Sequence, residues 1–197
     1  MLENYKKKGL GDTSTAIADE LAARGLAGST VLEIGCGTGA LLLELLRRGA
    51  VSATGVDLSP KMIQLANALA GESGQSNSIS FEVGDGAVKG LASSDIVILD
   101  AVLCCYPDVT ALVENSSSVA SKYYAFAVPD DRRFAVRVLK PLLPLQWFFM
   151  RRGGFKFFIH PTLTICKLLE ARGFRQVLRS PTGRIWSTFL FSAPGTG

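Results

Sequence analysis

Short apolar runs rich in β-branched residues alternate along the chain with segments whose apolar residues recur at helical spacing. The runs that predict strands are Val31–Ile34, Ala53–Asp57, Ile79–Val83, Asp95–Asp100 and Lys122–Val128, followed by Gln176–Leu178 and Ile185–Ser192 as a closing antiparallel hairpin. The segments that predict helices are Thr13–Arg24, Leu41–Leu46, the turns that follow Pro60, Val109–Ser118 and Thr162–Arg172. This alternation predicts an α/β fold built on a mostly parallel sheet.

The size of the chain fits one such domain. Its 197 residues suffice for one sizeable core, and a hydrophobic content of 48% suits a buried parallel sheet. We see no internal repeat and no interdomain linker, so we treat 1–197 as a single domain. Within it, we expect a helical cap over 1–27 and an insertion over 130–160 that interrupts the α/β rhythm.

The sequence also indicates the cellular compartment of the protein. No stretch reaches the roughly eighteen uninterrupted apolar residues of a membrane span, and the segment Met1–Lys8 has no apolar core of the kind a signal peptide needs. We therefore expect a cytoplasmic protein.

A glycine-rich turn follows the first predicted strand, in the run Val31-Leu-Glu-Ile-Gly-Cys-Gly-Thr-Gly39. Glycines at 35, 37 and 39 allow a sharp turn and leave no Cβ in the way of a ligand. The turn therefore suits a nucleotide-like molecule. With Ala40, the spacing also satisfies the pattern of a dinucleotide site, which leaves an NAD-dependent dehydrogenase as an alternative.

Acidic residues end three consecutive predicted strands. Glu33 would repel a pyrophosphate and attract an ammonium group, which disfavours the dehydrogenase. Asp57 can accept from both hydroxyls of a ribose, and Asp85 can accept from an adenine amino group. Between them, Ser59 and Pro60 mark a capped helix start.

The segments VLEIGCGTG, VDLSPKM and VGDG, in this order and spacing, resemble those of the class I S-adenosylmethionine-dependent methyltransferases. The resemblance extends from about Ala27 to Phe191. It implies a Rossmann-like, seven-stranded, mostly parallel sheet with helices on both faces, an antiparallel final strand, a lid inserted after strand five, and S-adenosyl-L-methionine as cofactor. The cofactor-binding residues that it implies are Glu33, Gly35, Cys36, Gly37, Gly39, Asp57, Leu58, Met62, Asp85, Gly86, Ala87 and Asp100.

The insertion over 130–160 is both basic and aromatic. Its cations are Arg132, Arg133, Arg137, Lys140, Arg151, Arg152 and Lys156, and they stand among Trp147 and several phenylalanines. Pro141 and Pro144 prevent one long helix. We expect a lid that forms an apolar pocket with a cationic rim. A solvated basic face over core aromatics and a peripheral membrane contact are alternatives.

Methyl transfer needs a nucleophile aligned with the methyl group, so positioning can supply most of the acceleration. The candidates to orient an acceptor hydroxyl or carboxyl, or to take its proton, are Tyr106, His160 and Tyr5. Asp100 would lie near the sulfonium.

The four cysteines are Cys36, Cys104, Cys105 and Cys166, and the chain has one histidine. This layout argues against a structural zinc site and a disulfide framework, and we assign no metal. Nothing nearby in the sequence would activate Cys105, so we predict that it is a small buried apolar residue.

Gly25-Leu-Ala-Gly28 and Leu-Asp-Ala-Val-Leu-Cys-Cys-Tyr-Pro, which ends at Pro107, further resemble the magnesium-protoporphyrin O-methyltransferases. Those enzymes commonly carry a histidine at the position of Cys105. A flat, apolar dicarboxylate would suit the predicted lid.

We therefore predict methyl transfer to a small or medium-sized apolar acceptor, with or without an anionic group, and favour oxygen as the acceptor atom. A non-catalytic cofactor-binding or regulatory protein is the alternative from another class. The net charge of +4 raises the question of nucleic acid. The cations are mixed with apolar residues, however, and the segment after Asp100 has no N-P-P-Y motif, so we expect a small-molecule substrate.

Overall fold

The computed structural model describes residues 9–88, 90–139 and 157–196. These residues contain one seven-stranded sheet, in the order β3-β2-β1-β4-β5-β7-β6. Its strands are β1 (Thr30–Ile34), β2 (Ser52–Asp57), β3 (Ile79–Val83), β4 (Ser94–Asp100), β5 (Ala120–Pro129), β6 (Arg175–Thr182) and β7 (Trp186–Ser192). Strands β1 to β5 pair in parallel, whereas β7 is antiparallel to both β5 and β6. The predicted fold class is confirmed.

The helices alternate with the strands as predicted. They are α1 (Asp12–Arg24), α2 (Ala40–Arg47), α3 (Pro60–Glu72), α4 (Val109–Ser117), α5 (Phe134–Leu139) and α6 (Thr162–Ala171), with a 3₁₀ turn at Leu103–Cys105. The predicted start of α3 is confirmed, because the Ser59 hydroxyl accepts from the Met62 backbone amide and Pro60 is the first helical residue. Among the described residues, no helix combines the length and apolar composition needed to span a membrane.

Helices cover both faces of the sheet because both faces of its strands are apolar. In β4, Val97 and Leu99 pack with residues of α4 and α6, whereas Ile96 and Ile98 pack with residues of α1, α2 and α3. All four side chains are fully buried. Successive strand residues point to opposite faces, so one continuous apolar run serves two cores.

Strands β5 and β6 are longer than predicted. Strand β5 does not stop before Pro129, which pairs with Trp186 as the last residue of the strand. A missing amide is tolerated at such a terminal position. Strand β6 extends to Thr182, well beyond the predicted Leu178, because its partner β7 continues beside it.

The chain order reverses between β1 and β4, which are neighbours in the sheet. In open α/β sheets, ligands bind in the crevice beyond the carboxyl ends of the strands at such a reversal. The glycine-rich turn after β1 and the residues after β4 both open onto this crevice.

Candidate cofactor and active site

Two adjoining cavities lie in this crevice. The Tyr106 cavity has a volume of about 410 Å³, and its wall includes Asp57, Leu58, Met62, Gly86, Cys105 and Tyr106. The Glu33 cavity has a volume of about 700 Å³, and its wall includes Ser14, Glu33, Cys36 and Leu41. Gly35, Gly37 and Asp100 line both.

Most of the residues predicted to bind the cofactor therefore lie around one connected space. Three of them line neither cavity: Gly39, Asp85 and Ala87. Gly39 caps α2, and a Cβ at this position would lie 2.4 Å from the Phe81 ring. It leaves room for a neighbouring side chain. The Ala87 amide donates to Asp85 at 2.9 Å.

The glycine-rich turn is held by β2. The amides of Gly35 and Cys36 donate to the Val56 carbonyl at 2.7 and 3.1 Å, and the Gly37 amide donates to Asp57 Oδ2 at 2.9 Å. Gly37 adopts a φ of +54°, and a Cβ at this residue would meet no atom within 4 Å. The turn thus presents bare backbone to the open space of both cavities.

Glu33 is a buried carboxyl group without a full set of partners. It is 4% exposed, and its Oε2 has no hydrogen-bond partner. Burial raises its pKa well above the usual 4.5, and the nearby carboxylates of Asp100 and Asp57 raise it further. An uncompensated buried charge is costly, so this site favours a positively charged ligand group.

Asp100 extends this acidic surface at the end of β4. Its Oδ2 accepts from the Ser14 hydroxyl on α1, while its Oδ1 is buried without a partner. Burial raises the pKa of Asp100, and hydrogen bonds from Ser14 and Thr13 oppose that rise. The predicted cap helix therefore reaches the crevice, where Ser14 lines the Glu33 cavity.

Asp85 has a partner that sequence reasoning missed. The Tyr106 hydroxyl lies 2.9 Å from both carboxylate oxygens of Asp85. Burial raises the pKa of Tyr106, and the Asp85 carboxylate raises it further. Tyr106, not Asp85, therefore forms the wall of the cavity, and its hydroxyl fixes the orientation of the carboxylate behind it.

The two residues predicted to act on the acceptor lie side by side. His160 Nε2 is 2.9 Å from the Tyr106 carbonyl oxygen, and its ring stacks on Phe158 with centroids 5.7 Å apart. A carbonyl oxygen can only accept, so Nε2 carries the proton in the neutral ring and Nδ1 is left as an acceptor. Tyr5, the third candidate, lies outside the described residues.

The prediction for Cys105 is wrong. Cys105 is exposed and lines the Tyr106 cavity, whereas the neighbouring Cys104 is 3% exposed. The two adjacent residues of the 3₁₀ turn thus differ in burial, although their sulfur atoms lie close together. Apolar content alone could not show which of them faces the crevice.

The described part of the predicted lid carries cations that are already engaged. Arg133 donates to the carbonyl oxygens of Trp186 and Gly183 at 2.9 and 2.8 Å, and Arg132 pairs with the buried Asp130 at 3.3 Å. Arg133 thus ties the start of the insertion to β7, whereas Arg132 pairs within the insertion itself. Arg137 is described and exposed. The other cations of the insertion lie outside the described residues, and they are Lys140, Arg151, Arg152 and Lys156. Trp147 and the breaks at Pro141 and Pro144 lie outside them too.

The charges that line the two cavities distinguish S-adenosylmethionine from NAD. A pyrophosphate would lie against Glu33 and Asp100, and no cation among the described residues lines either cavity. S-adenosylmethionine brings an ammonium and a sulfonium, which would compensate these carboxylates. The residues present therefore fit S-adenosylmethionine and disfavour NAD.

Comparison with known proteins agrees with this assignment. The "Methyltransferase domain" family model matches residues 31–122. The magnesium-protoporphyrin O-methyltransferase of Rhodobacter capsulatus is 38% identical over 130 residues, which cover 62% of this chain and 55% of that protein. The ubiquinone biosynthesis O-methyltransferase of Xanthomonas oryzae pv. oryzae is 34% identical over 101 residues, 48% of this chain and 40% of that protein. The chain thus spans about half the length of these curated relatives.

A solved structure resembles the whole described fold. The magnesium protoporphyrin IX methyltransferase of Synechocystis PCC 6803, with bound S-adenosylhomocysteine, superposes with a TM-score of 0.78 at 25% identity, covering 92% of this chain and 82% of that one. The strand order, the bare glycine turn between two acidic cavities, and these similarities place residues 31–122 in the methyltransferase domain family, and the chain has the fold of the class I S-adenosylmethionine-dependent methyltransferases.

Proposed function

We propose that this protein transfers a methyl group from S-adenosylmethionine to an oxygen atom of a small or medium-sized apolar acceptor that carries a carboxyl or phenol group. The observation that carries the proposal is the buried, incompletely partnered carboxyl of Glu33 beside Asp100 and the open backbone of Gly37. Such a site needs a ligand with positive charge. The O-methyltransferases among the relatives support oxygen as the acceptor atom.

Each end of the cofactor has residues suited to it. Glu33 and Asp100 would hold the ammonium and face the sulfonium, which when bound supplies an electrophilic methyl group. Asp57 would accept from the ribose hydroxyls, since each of its oxygens accepts one backbone amide and keeps a second lone pair. Asp85 lines neither cavity, so it would act on the adenine side through Tyr106, whose ring it holds at the cavity wall.

The acceptor would approach from the side of the cavity that Cys105 and Tyr106 form. Since the Tyr106 hydroxyl is engaged with Asp85, we assign Tyr106 to positioning. His160 lines neither cavity, so it would take a proton only from an acceptor that extends past Tyr106, and through Nδ1, because Nε2 is held by the Tyr106 carbonyl oxygen. A carboxylate acceptor needs no base, and positioning then suffices.

The remainder of the insertion would supply the acceptor pocket and its cationic rim. Among the described residues, Arg132 and Arg133 are held by internal partners, so we assign that rim to cations beyond position 133. Mutation of Arg151 and Arg152 together should weaken binding of an anionic acceptor. An unchanged acceptor KM would count against this part of the proposal.

A pair of glycine variants tests the cofactor site. Gly37 and Gly74 both adopt positive φ, +54° and +68°, and a Cβ at either would meet no atom within 4 Å. Alanine should therefore cost each a similar ~1–2 kcal/mol of backbone strain. Only Gly37 lines the cavities, so Gly37→Ala should lose S-adenosylhomocysteine binding in calorimetry, whereas Gly74→Ala should keep it.

Titration with NAD and a turnover assay complete the test. The wild-type protein should bind S-adenosylhomocysteine and not NAD, and it should transfer labelled methyl groups to a panel of acceptors that includes a magnesium porphyrin and a phenolic acid. NAD binding without S-adenosylhomocysteine binding would refute the cofactor assignment. Cofactor binding with no turnover on any acceptor of either class would favour a non-catalytic, regulatory protein.

A further inference from the structure

Two adjacent thiols lie at the wall of the Tyr106 cavity. Ala101, with a left-handed φ of +59°, turns the chain directly after β4, and Cys104 and Cys105 follow on the 3₁₀ turn. Their sulfur atoms are 3.7 Å apart. Both also lie near the Ala101 carbonyl oxygen, at 3.3 Å for Cys104 and 3.6 Å for Cys105, which holds them on one side of the turn.

The two thiols differ in access. Cys104 is buried beneath the turn, while Cys105 is exposed and lines the cavity together with Asp57 and Gly37. The buried thiol can thus act only on its neighbour, whereas the exposed one can meet a molecule from solvent. The other two cysteines of the chain, Cys36 and Cys166, are buried and free.

The contact between the sulfurs also makes Cys105 acidic. A hydrogen bond from the Cys104 thiol lowers the pKa of Cys105 to about 7, against an opposing effect of burial. Burial instead raises the pKa of Cys36, and it raises that of Cys166 to about 11. Thiolate, not thiol, is the reactive form, so access and ionisation both select Cys105 among the four cysteines.

We propose that Cys105 is a site of reversible modification by small disulfides such as oxidised glutathione, and that the adduct closes the Tyr106 cavity to the cofactor. The Cys105 thiolate attacks one sulfur of the disulfide and forms a mixed disulfide, and the other sulfur leaves as a thiolate. A second thiol reverses the exchange. The effect on the cofactor rests on the function proposed above, whereas the modification itself does not.

The role of Cys104 gives a quantitative expectation. At pH 7, a thiol with a pKa of about 7 is about half ionised, compared with about 1% for the ordinary value of 9.0. The lower pKa also weakens the nucleophile, by about eightfold over two units at a Brønsted slope near 0.45. The gain of about fiftyfold in the thiolate fraction and the loss of about eightfold in nucleophilicity leave a reaction rate that is higher by a factor of about six. Cys104→Ala should therefore slow the modification of Cys105 about sixfold.

The first measurement is chemical. The reduced protein is incubated with oxidised glutathione at pH 7, and the adducts are counted by intact mass and located by peptide mapping. We expect one adduct on Cys105, none on Cys105→Ser, and unchanged modification of the matched control Cys166→Ser. Cys104→Ala should react about six times more slowly than the wild-type protein. Its reaction rate should also reach half its maximum at a higher pH than that of the wild-type protein. Adducts spread over other cysteines, or an unchanged rate and pH profile in Cys104→Ala, would overturn the assignment.

The second measurement is functional. S-adenosylhomocysteine binding should be lost in proportion to the adduct and restored by dithiothreitol, whereas Cys105→Ser treated with the disulfide should bind as it does untreated. A modified protein that binds S-adenosylhomocysteine as well as the reduced one would refute closure of the cavity. If the reduced protein itself fails to bind S-adenosylhomocysteine, the proposed function and the closure fall together, and the mass measurement alone decides the modification site.

Discussion

Replacing Glu33 with glutamine should affect ligand binding and protein stability in opposite directions. The side chain is 4% exposed, has an oxygen without a partner and lies near the carboxylates of Asp57 and Asp100. In the free protein, glutamine removes a carboxyl group whose ionisation is costly. In the complex, it removes the acceptor that a positively charged ligand group would use.

The loss of affinity follows from the energy of one charged hydrogen bond. Such a bond contributes about 1.5–3 kcal/mol, so the Kd of Glu33→Gln for S-adenosylhomocysteine should rise roughly 10- to 150-fold. Calorimetry on both proteins at pH 8, where the wild-type carboxyl is more fully ionised, measures this directly. Glu82→Gln is the matched control, because Glu82 is an exposed carboxylate on β3.

The change in stability has a defined sign. The raised pKa of Glu33 means that the folded protein holds a proton which the unfolded chain has released above about pH 4.5. The free energy of unfolding of the wild type should therefore fall as pH rises through this window, by at most about 1.4 kcal/mol per pH unit for one proton. Glu33→Gln should lose this part of the slope, as measured by urea unfolding from pH 5 to 8. Equal affinity for S-adenosylhomocysteine, together with an unchanged pH slope, would refute the assignment of Glu33 as a buried cation-binding carboxyl.

Two further substitutions test positioning and packing. Tyr106→Phe removes the hydroxyl that orients Asp85, at about 1 kcal/mol for one hydrogen bond; the KM for the cofactor should rise about fivefold while kcat stays within twofold, and a large fall in kcat would instead assign Tyr106 to proton transfer. Asp130→Asn breaks the pairs of a fully buried carboxylate with Arg132 and Arg179, at 3.3 and 2.6 Å. Because both arginines are partly exposed, we expect a loss of about 2 kcal/mol in urea unfolding at pH 7. Hydrogen bonds from Arg179 lower the pKa of Asp130 against the effect of burial, so this contribution should vanish as the pH falls below 3.8 and the two proteins should converge there.

The sequence was informative wherever local pattern decides structure. Continuous apolar runs fixed the parallel strands, and the Ser59-Pro60 pair marked the start of α3 because capping depends on neighbouring residues. Acids at the ends of strands came together because the carboxyl ends of parallel strands share one edge of the sheet. Glu33, Asp57 and Asp100 interact there, although they lie on three different strands.

The contacts that sequence reasoning missed join residues far apart in the chain. The hydroxyl of Tyr106 reaches a carboxylate 21 positions earlier, and that of Ser14 reaches one 86 positions later. Neither contact has a local signal, since each depends on how a loop and a helix pack over the finished sheet. The orientation of Cys105 likewise follows from the 3₁₀ turn that begins after Ala101, and a pair of adjacent cysteines does not reveal which thiol is accessible.

The distribution of site residues along the chain has a consequence for substitutions. Among the described residues, those that line the two cavities all precede Val113, whereas β5, β6 and β7 supply core and frame. Under mutation, the portion before Val113 is constrained by a bound cofactor as well as by packing. The strands β5, β6 and β7 are constrained by packing, so substitutions there should act through the stability of the sheet.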